Sequence, residues 1–399
     1  MNPDLSLTFC GIKFPNPYVL AAAPTTDSAD QVARALEAGW AGAVLKTTSV
    51  ETEQVELVYP QMGAIELEGK KLNGLINIDL ISQRHIDQVE QDVRRLKKEY
   101  PDKIILASIM GSCKEHWQEL VHRLEAAGVD MIECSFSCPH GMPERGMGAA
   151  VGQNAEFTER TARWVKEAAS RVPVAIKLTP NVTDIVPIAE AVKRSGADAV
   201  VAVNTVLGLI GVDIDTWSPL PSVDGMGIYG GFSGPAIKPI ALHFVSAIAR
   251  HVDIPIAATG GICSWRDAVE FLLVGARNLQ LCTAPMHYGF RVIDDLLDGL
   301  SHYLADKGLA SVEEIVGKAL PRLTTYEHLS RSYKVVSQVD KEACIGCGLC
   351  YIACQDGGHQ AIQWDPLTRI ASTDEEKCVG CGLCPQVCPV EAISLRKVV

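Results

Sequence analysis

Cations are in short supply in this 399-residue chain, where 36 Lys and Arg face 48 Asp and Glu for a formal charge of −12. An acidic balance opposes phosphate backbones and anionic membranes, so neither nucleic acid nor a membrane is an expected partner. Long apolar runs are also missing: none approaches the ~18 residues of a membrane span. Met1–Pro17 has neither a basic flank nor the apolar stretch of a secretory leader, so a cytoplasmic location is expected. No GxGxxG follows an early strand, so the usual dinucleotide fingerprint is absent.

Cysteine, by contrast, is abundant and uneven, with eight of 14 falling between Cys344 and Cys388. Cys344-Ile-Gly-Cys347-Gly-Leu-Cys350 with Cys354 is repeated as Cys378-Val-Gly-Cys381-Gly-Leu-Cys384 with Cys388-Pro389. This CxxCxxCxxxC spacing is that of bacterial proteins with two [4Fe–4S] clusters, in which the fourth cysteine of each run reaches across to the other cluster. One cluster is then expected on Cys344, Cys347, Cys350 and Cys388, and the other on Cys378, Cys381, Cys384 and Cys354. Glycines 346, 348, 380 and 382 let the backbone wrap the clusters. Structural zinc is the alternative for any CxxC pair, but eight thiolates in this doubled spacing exceed what tetrahedral sites need.

Upstream, short apolar runs alternate with helix-patterned stretches ending in Gly. Strands are expected at Tyr18–Pro24, Ala43–Ser49, Ile104–Gly111, Met131–Pro139, Val174–Asn181, Ala199–Thr205, Pro255–Ile262 and Asn278–Pro285. Eight such strands with helical crossovers imply an α/β fold of the (β/α)8 TIM-barrel type, an open doubly wound sheet being the competitor. The domains are then a barrel over 1–310, a helical linker over 311–335 and a ferredoxin-like domain over 336–399. Three stretches exceed normal connections, Glu51–Asn73, His140–Asn154 and Val206–Pro235, and the last two follow strands on the face where barrel enzymes work.

A wire of clusters needs a terminus, and the organic cofactor that exchanges one electron or two is a flavin. Two glycine loops near the seventh strand, Gly230-Gly231-Phe232-Ser233-Gly234 and Thr259-Gly260-Gly261-Ile262, followed by Thr283, are candidates for its phosphate. Lys46 and Lys177 sit inside apolar strands, where an ammonium requires an electron-rich partner such as a reduced flavin ring, or a buried salt bridge. Cys138-Pro139 ends the fourth strand, where a thiol could serve as a general acid or pack as a structural group, and His140 follows it. Asn77, Asn204 and Thr205 stand at strand ends, either pairing with a ring of alternating C=O and N–H groups or capping turns. The remaining cysteines, 10, 113, 134, 263 and 282, read as small hydrophobes of core or loop.

Gly11-Ile-Lys-Phe-Pro-Asn-Pro17, Ser137-Cys-Pro-His-Gly141 with Glu144-Arg-Gly-Met-Gly148, Lys177-Leu-Thr-Pro-Asn-Val-Thr-Asp184, Asn204-Thr205 and Thr259-Gly-Gly-Ile262 together resemble the dihydropyrimidine dehydrogenase family. The similarity covers essentially the whole chain, matching the catalytic subunit of the bacterial two-subunit form; the barrel resembles dihydroorotate dehydrogenase more distantly. The resemblance implies a barrel that binds FMN, with Cys138 protonating C5 of a pyrimidine while flavin N5 gives hydride to C6. It implies that Asn77, Asn204, Thr205 and Ser137 hold the ring, with Lys46 and Lys177 near the flavin. Ala23, Thr47, Gly231, Ser233, Gly260, Gly261 and Thr283 would complete the flavin site. It implies a partner subunit bearing FAD and iron–sulfur clusters that oxidises NAD(P)H, in a homodimer or heterotetramer. The chain departs from the family at Ser135, usually Asn, and Asp79, usually Glu; both are expected to face the ring or flavin, so the ring could be a modified or different cyclic amide. A pure electron carrier is the reading from another class.

Overall fold

The computed structural model describes residues 3–50, 55–64, 73–137 and 148–398. The chain divides into two compact units, one ending at Arg322 and the other starting at Leu323.

The first unit is a closed barrel of eight parallel strands in chain order: β1 (Tyr18–Leu20), β2 (Gly42–Thr48), β3 (Ile104–Ile109), β4 (Met131–Ser135), β5 (Val174–Lys177), β6 (Ala199–Ala202), β7 (Ile256–Thr259) and β8 (Asn278–Leu281). Each expected strand is present, and closure through the β8–β1 pairing of Leu279 with Tyr18 excludes the open doubly wound sheet. Continuous apolar runs buried on both faces mark these strands, as in β3, whose six residues are all buried. Their outer faces are covered by α1 (Ala29–Ala38), α2 (Ile86–Glu99), α3 (Lys114–Ala127), α4 (Ala155–Ala168), α5 (Val186–Ser195), α6 (Lys238–His251), α7 (Trp265–Leu273) and α8 (Val292–Asp306). Local signals set the helix ends. In α1 the Ser28 side chain accepts from the Gln31 N–H while Gln31 reaches back to Ser28, and Gly39 ends the helix in the left-handed region.

A hairpin, Leu7–Phe9 with Ile12–Phe14, buries Phe9 and Phe14, and its Cys10 Sγ donates to the Asp198 carbonyl at the start of β6. The opposite, C-terminal end of the barrel carries a feature not expected from sequence. Met62–Ala64 and Leu75–Asn77, from the connection after β2, pair with Gly230–Ser233 and Val206–Gly208, from the connection after β6, in a four-stranded antiparallel sheet. Met62–Ala64, from the stretch after β2, therefore reaches the functional face together with Val206–Gly208, and Gly230–Ser233 is a strand of this sheet rather than a turn near β7.

In place of one helical linker, residues 311–335 hold single 3-10 turns at Val312–Ile315, Leu320–Arg322 and Tyr326–His328. Val312 and Ile315 are buried in the barrel core, which anchors the start of this stretch to the first unit.

The second unit has two antiparallel ribbons, Lys334–Val339 with Ile393–Val398 and Ile362–Trp364 with Ala371–Thr373, and two helices, Leu349–Gly357 and Leu383–Gln386. The repeat seen in the cysteines extends further. Asp340 and Asp374, each four residues before a first cysteine, accept from the N–H groups two and three residues on, those of Glu342 and Ala343 and of Glu376 and Lys377, and offer their carbonyls to Cys344 and Cys378.

Candidate active site and cluster cavities

The C-terminal ends of the barrel strands and the antiparallel sheet form a partly open cleft. Its wall includes Ala23, Lys46, Thr47, Asn77, Asp79, Ser135, Lys177, Asn204, Thr205, Ser233, Gly260, Gly261 and Thr283, so most of the expected site residues converge. Two expected residues do not line it. Ser137 is fully buried and its Oγ accepts from Asn204 Nδ2 at 2.9 Å, which aims the amide. Gly231 lies within the sheet, its carbonyl accepting from Asn77 Nδ2 at 3.1 Å; it too holds an amide in place. Cys138 and His140 lie outside the described residues.

The strand pleat explains the floor. Glu133 and Ser135 on β4 point the same way, as do Asn278 and Gln280 on β8, and Ser135 is in register with Lys177 on β5. Polar groups thereby converge where a barrel would otherwise pack hydrocarbon. Lys177 Nζ lies 3.4 Å from Glu133 Oε1, close enough for ionic attraction but without a hydrogen bond, while Glu133 Oε2 accepts from Gln280 Nε2 at 2.7 Å. Gln280 Oε1, facing the cleft wall, is buried and has no partner among the described residues.

Lys46 on β2 pairs with Asp79, Nζ lying 3.0 Å from one carboxylate oxygen and 3.2 Å from the other. Both strand lysines thus face a buried carboxylate and also line the cleft. Burial raises the Asp79 carboxyl above its ordinary value against the pull of Lys46. Asn181 completes the wall from outside: its Nδ2 donates to the Thr205 carbonyl at 3.3 Å and its Oδ1 accepts from Leu207 N at 2.8 Å. Cys263 and Cys282 also face the cleft, a placement that a cysteine without a nearby partner in sequence does not reveal. Burial pushes the Cys263 thiol up to about 12 and raises that of Cys282.

The residues fit a flavin. Gly260 and Gly261 follow β7 with φ of +123° and +82°, where a side chain would be strained, and leave bare backbone at the wall. Thr283 begins a short helix after β8, and its hydroxyl lies 3.0 Å from that of Ser233. Loops after strands seven and eight with a short helix are where barrels bind phosphate.

In the second unit two cavities of about 350 Å³ each are ringed by four thiols: Cys344, Cys347, Cys350 and Cys388 around one, Cys354, Cys378, Cys381 and Cys384 around the other. These are the two sets expected from the spacing. Among the described residues no three Cys, His, Asp or Glu side chains gather closely enough for a single ion, whereas thiols spread round a cavity suit a cluster of several irons. Gly346 and Gly380 adopt φ of +68° and +67°, and a Cβ on either would strike a backbone oxygen within 2.4 Å.

Residues 4–304 match the dihydroorotate dehydrogenase family and 337–395 the 4Fe-4S dicluster domain. The chain is 44% identical over 401 residues to the NAD-dependent dihydropyrimidine dehydrogenase subunit PreA of Escherichia coli (strain K12), covering 100% of this chain and 97% of that one. It is 38% identical over 345 residues to the chloroplastic dihydropyrimidine dehydrogenase (NADP(+)) of Arabidopsis thaliana, covering 84% of this chain and 81% of the plant protein. With the catalytic subunit of dihydroorotate dehydrogenase B (NAD(+)) from Thermococcus kodakarensis it shares 36% identity over 323 residues, 79% of this chain and 98% of that one. No helix among the described residues is long and apolar enough to cross a membrane. The chain belongs to the dihydropyrimidine dehydrogenase family, as an oxidoreductase that joins a flavin-binding barrel of the dihydroorotate dehydrogenase type to an iron–sulfur domain.

Proposed function

We propose that this chain interconverts a neutral pyrimidine ring, of the uracil or thymine type, and its 5,6-dihydro form. The observation that carries this reading is the charge balance of the cleft. Among the described lining residues the cations are Lys46 and Lys177, and each already faces a carboxylate, Asp79 at 3.0 Å and Glu133 at 3.4 Å. A substrate with its own carboxylate, such as dihydroorotate, would find no uncommitted cation and would meet the negative charge of Asp79. A ring of alternating C=O and N–H groups instead finds amides at Asn77 and Asn204 and hydroxyls at Ser135 and Thr205.

Ala23, Thr47, Ser233, Gly260, Gly261 and Thr283 would hold FMN, with Lys46 and Lys177 toward its ring and Gly231 supporting from the sheet. When bound, the flavin supplies hydride exchange with the substrate. Cys138, next after Ser137, is the proton donor to the ring carbon in this reading, and Ser137 keeps the Asn204 amide aimed. The two thiol sets would hold one [4Fe–4S] cluster each and so provide one-electron steps between the barrel and a partner. Without a dinucleotide fingerprint in this chain, NAD(P)H oxidation falls to a partner subunit with FAD and iron–sulfur clusters. That the Escherichia coli relative is named as a subunit supports a partner.

The test is anaerobic. The purified, FMN-loaded protein is reduced, then uracil, thymine and orotate are added singly while flavin absorbance is followed. Reoxidation by uracil or thymine is expected. Response to orotate alone would transfer the assignment to dihydroorotate chemistry, and silence toward every ring would leave a carrier of electrons.

A further inference from the structure

The halves of the second unit match position by position around their cavities, Asp340, Cys344, Gly346, Gly348, Ala361 and Ile362 corresponding to Asp374, Cys378, Gly380, Gly382, Ala392 and Ile393. Shared donors follow the match: Ala361 N–H points to Cys354 Sγ at 3.3 Å and Ala392 N–H to Cys388 Sγ at 3.2 Å. The halves differ at four cavity-lining positions: Ile345 and Val390 of one cavity stand where the other has Val379 and His359, and two strand positions differ as well. Trp364 and Ala371 line the cavity of Cys344, Cys347, Cys350 and Cys388; their counterparts Leu395 and Ser337 line the other.

Trp364 Nε1 is buried and has no hydrogen-bond partner among the described residues. A Cβ on Gly348 would sit 3.6 Å from that nitrogen, so the indole N–H lies against the loop that carries Cys347 and Cys350. Leu395 occupies the mirrored place, 3.9 Å from a Cβ on Gly382, and offers only hydrocarbon. The second cavity has its own donor, since Ser337 N–H points to Cys378 Sγ at 3.4 Å. A buried N–H without an acceptor is costly, and the cavity beside it is ringed by thiols that a cluster would bridge.

We propose that the Trp364 indole N–H donates to a sulfur of the cluster held by Cys344, Cys347, Cys350 and Cys388, and raises the potential of that cluster alone. Reduction adds negative charge to the cluster, and a donor at its sulfurs favours the reduced form. The inference rests on the two-cluster reading. Trp364 acts as a tuning residue; it supplies no ligand to iron.

Trp364→Phe keeps a ring in place and removes the N–H, and Trp364→Leu copies the other half of the unit. In redox titrations of the cluster-loaded full chain followed by electron paramagnetic resonance, both variants should lower one midpoint and leave the other. At the wild-type midpoint the oxidised-to-reduced ratio of that cluster should rise about tenfold, a shift of about 59 mV for one electron. In wild-type protein exchanged into D2O, electron–nuclear double resonance should detect a deuteron coupled to the cluster that Trp364→Phe abolishes, a readout of the native protein that does not depend on variant stability. Unchanged midpoints in Trp364→Phe, a shift in Trp364→Leu alone, or equal movement of both midpoints would each overturn the proposal. Wild-type protein lacking two [4Fe–4S] signals would overturn the two-cluster reading itself, and this inference with it.

Discussion

The carboxylate of Asp79 lies 3.0 Å from the ammonium of Lys46, and the two side chains are only 8% and 9% exposed. A pair so enclosed contributes little net stability when intact, yet removing one member leaves the other as an uncompensated charge. Asp79→Ala should therefore lower unfolding stability by about 3 kcal/mol in urea titrations, and adding Lys46→Met should restore most of it.

The same carboxyl gives a pH signature. Burial holds its pKa above the ordinary 3.8 in the folded chain. The folded state therefore binds the proton more readily than the unfolded state in the window between 3.8 and that raised value, and acidification through the window favours folding at this site. The stability difference between wild type and Asp79→Asn should shift toward wild type as pH falls there. A difference that is flat with pH would deny the raised pKa.

Among the described residues Ser137 bonds to the cleft through Asn204, accepting from its amide at 2.9 Å. Ser137→Ala should reduce kcat/KM for the pyrimidine by roughly 1–3 kcal/mol of transition-state stabilisation, about five- to 150-fold, with flavin content unchanged. Asn204→Ala should cost at least as much, and the double variant no more than Asn204→Ala alone. Full additivity would show that the two side chains act separately.

Gly261 has φ of +82°, and a Cβ there would lie 2.8 Å from Lys238 N and 2.9 Å from Gly234 O. Gly261→Ala must move backbone at the wall expected to receive phosphate. A flavin dissociation constant raised at least tenfold, about 1.4 kcal/mol, is the expected outcome by fluorescence titration. Unaltered affinity would relocate the phosphate.

The second unit has a small core of nine buried residues, four of them the cysteines 350, 354, 378 and 384. So little hydrocarbon cannot offset the entropy of ordering the segment unaided. Anaerobic removal of iron should melt this unit while the barrel keeps its own thermal transition in calorimetry. Two transitions unchanged by chelation would refute this.

The barrel strands and the grouping of thiols round two cavities were legible because their signals are local and dense: apolar runs such as Ile104–Ile109 need no partner to be recognised, and the cysteine spacing repeats within each run. The antiparallel sheet was not. Its strands are three or four residues long, and the partners Asn77 and Gly231 stand 154 positions apart, so no periodicity announces them. Lys46 and Lys177 announced the need for partners without identifying Asp79 and Glu133. Ser137 and Gly231, which the resemblance implied for the ring and the flavin, hold the amides of Asn204 and Asn77, pairings that no local signal announces. Cys263 and Cys282 carried no signal, since a thiol packed in a core and one packed at a cleft wall are spelled alike.

The sheet that joins Leu75–Asn77 to Gly230–Ser233 ties together connections that leave β2 and β6, strands on opposite sides of an eight-membered ring. Each connection completes the hydrogen bonding of the other, so neither can be transplanted or lengthened on its own without stripping a ladder from its counterpart. For anyone reshaping the ring preference of this enzyme, the two connections are one module and have to be exchanged as a pair.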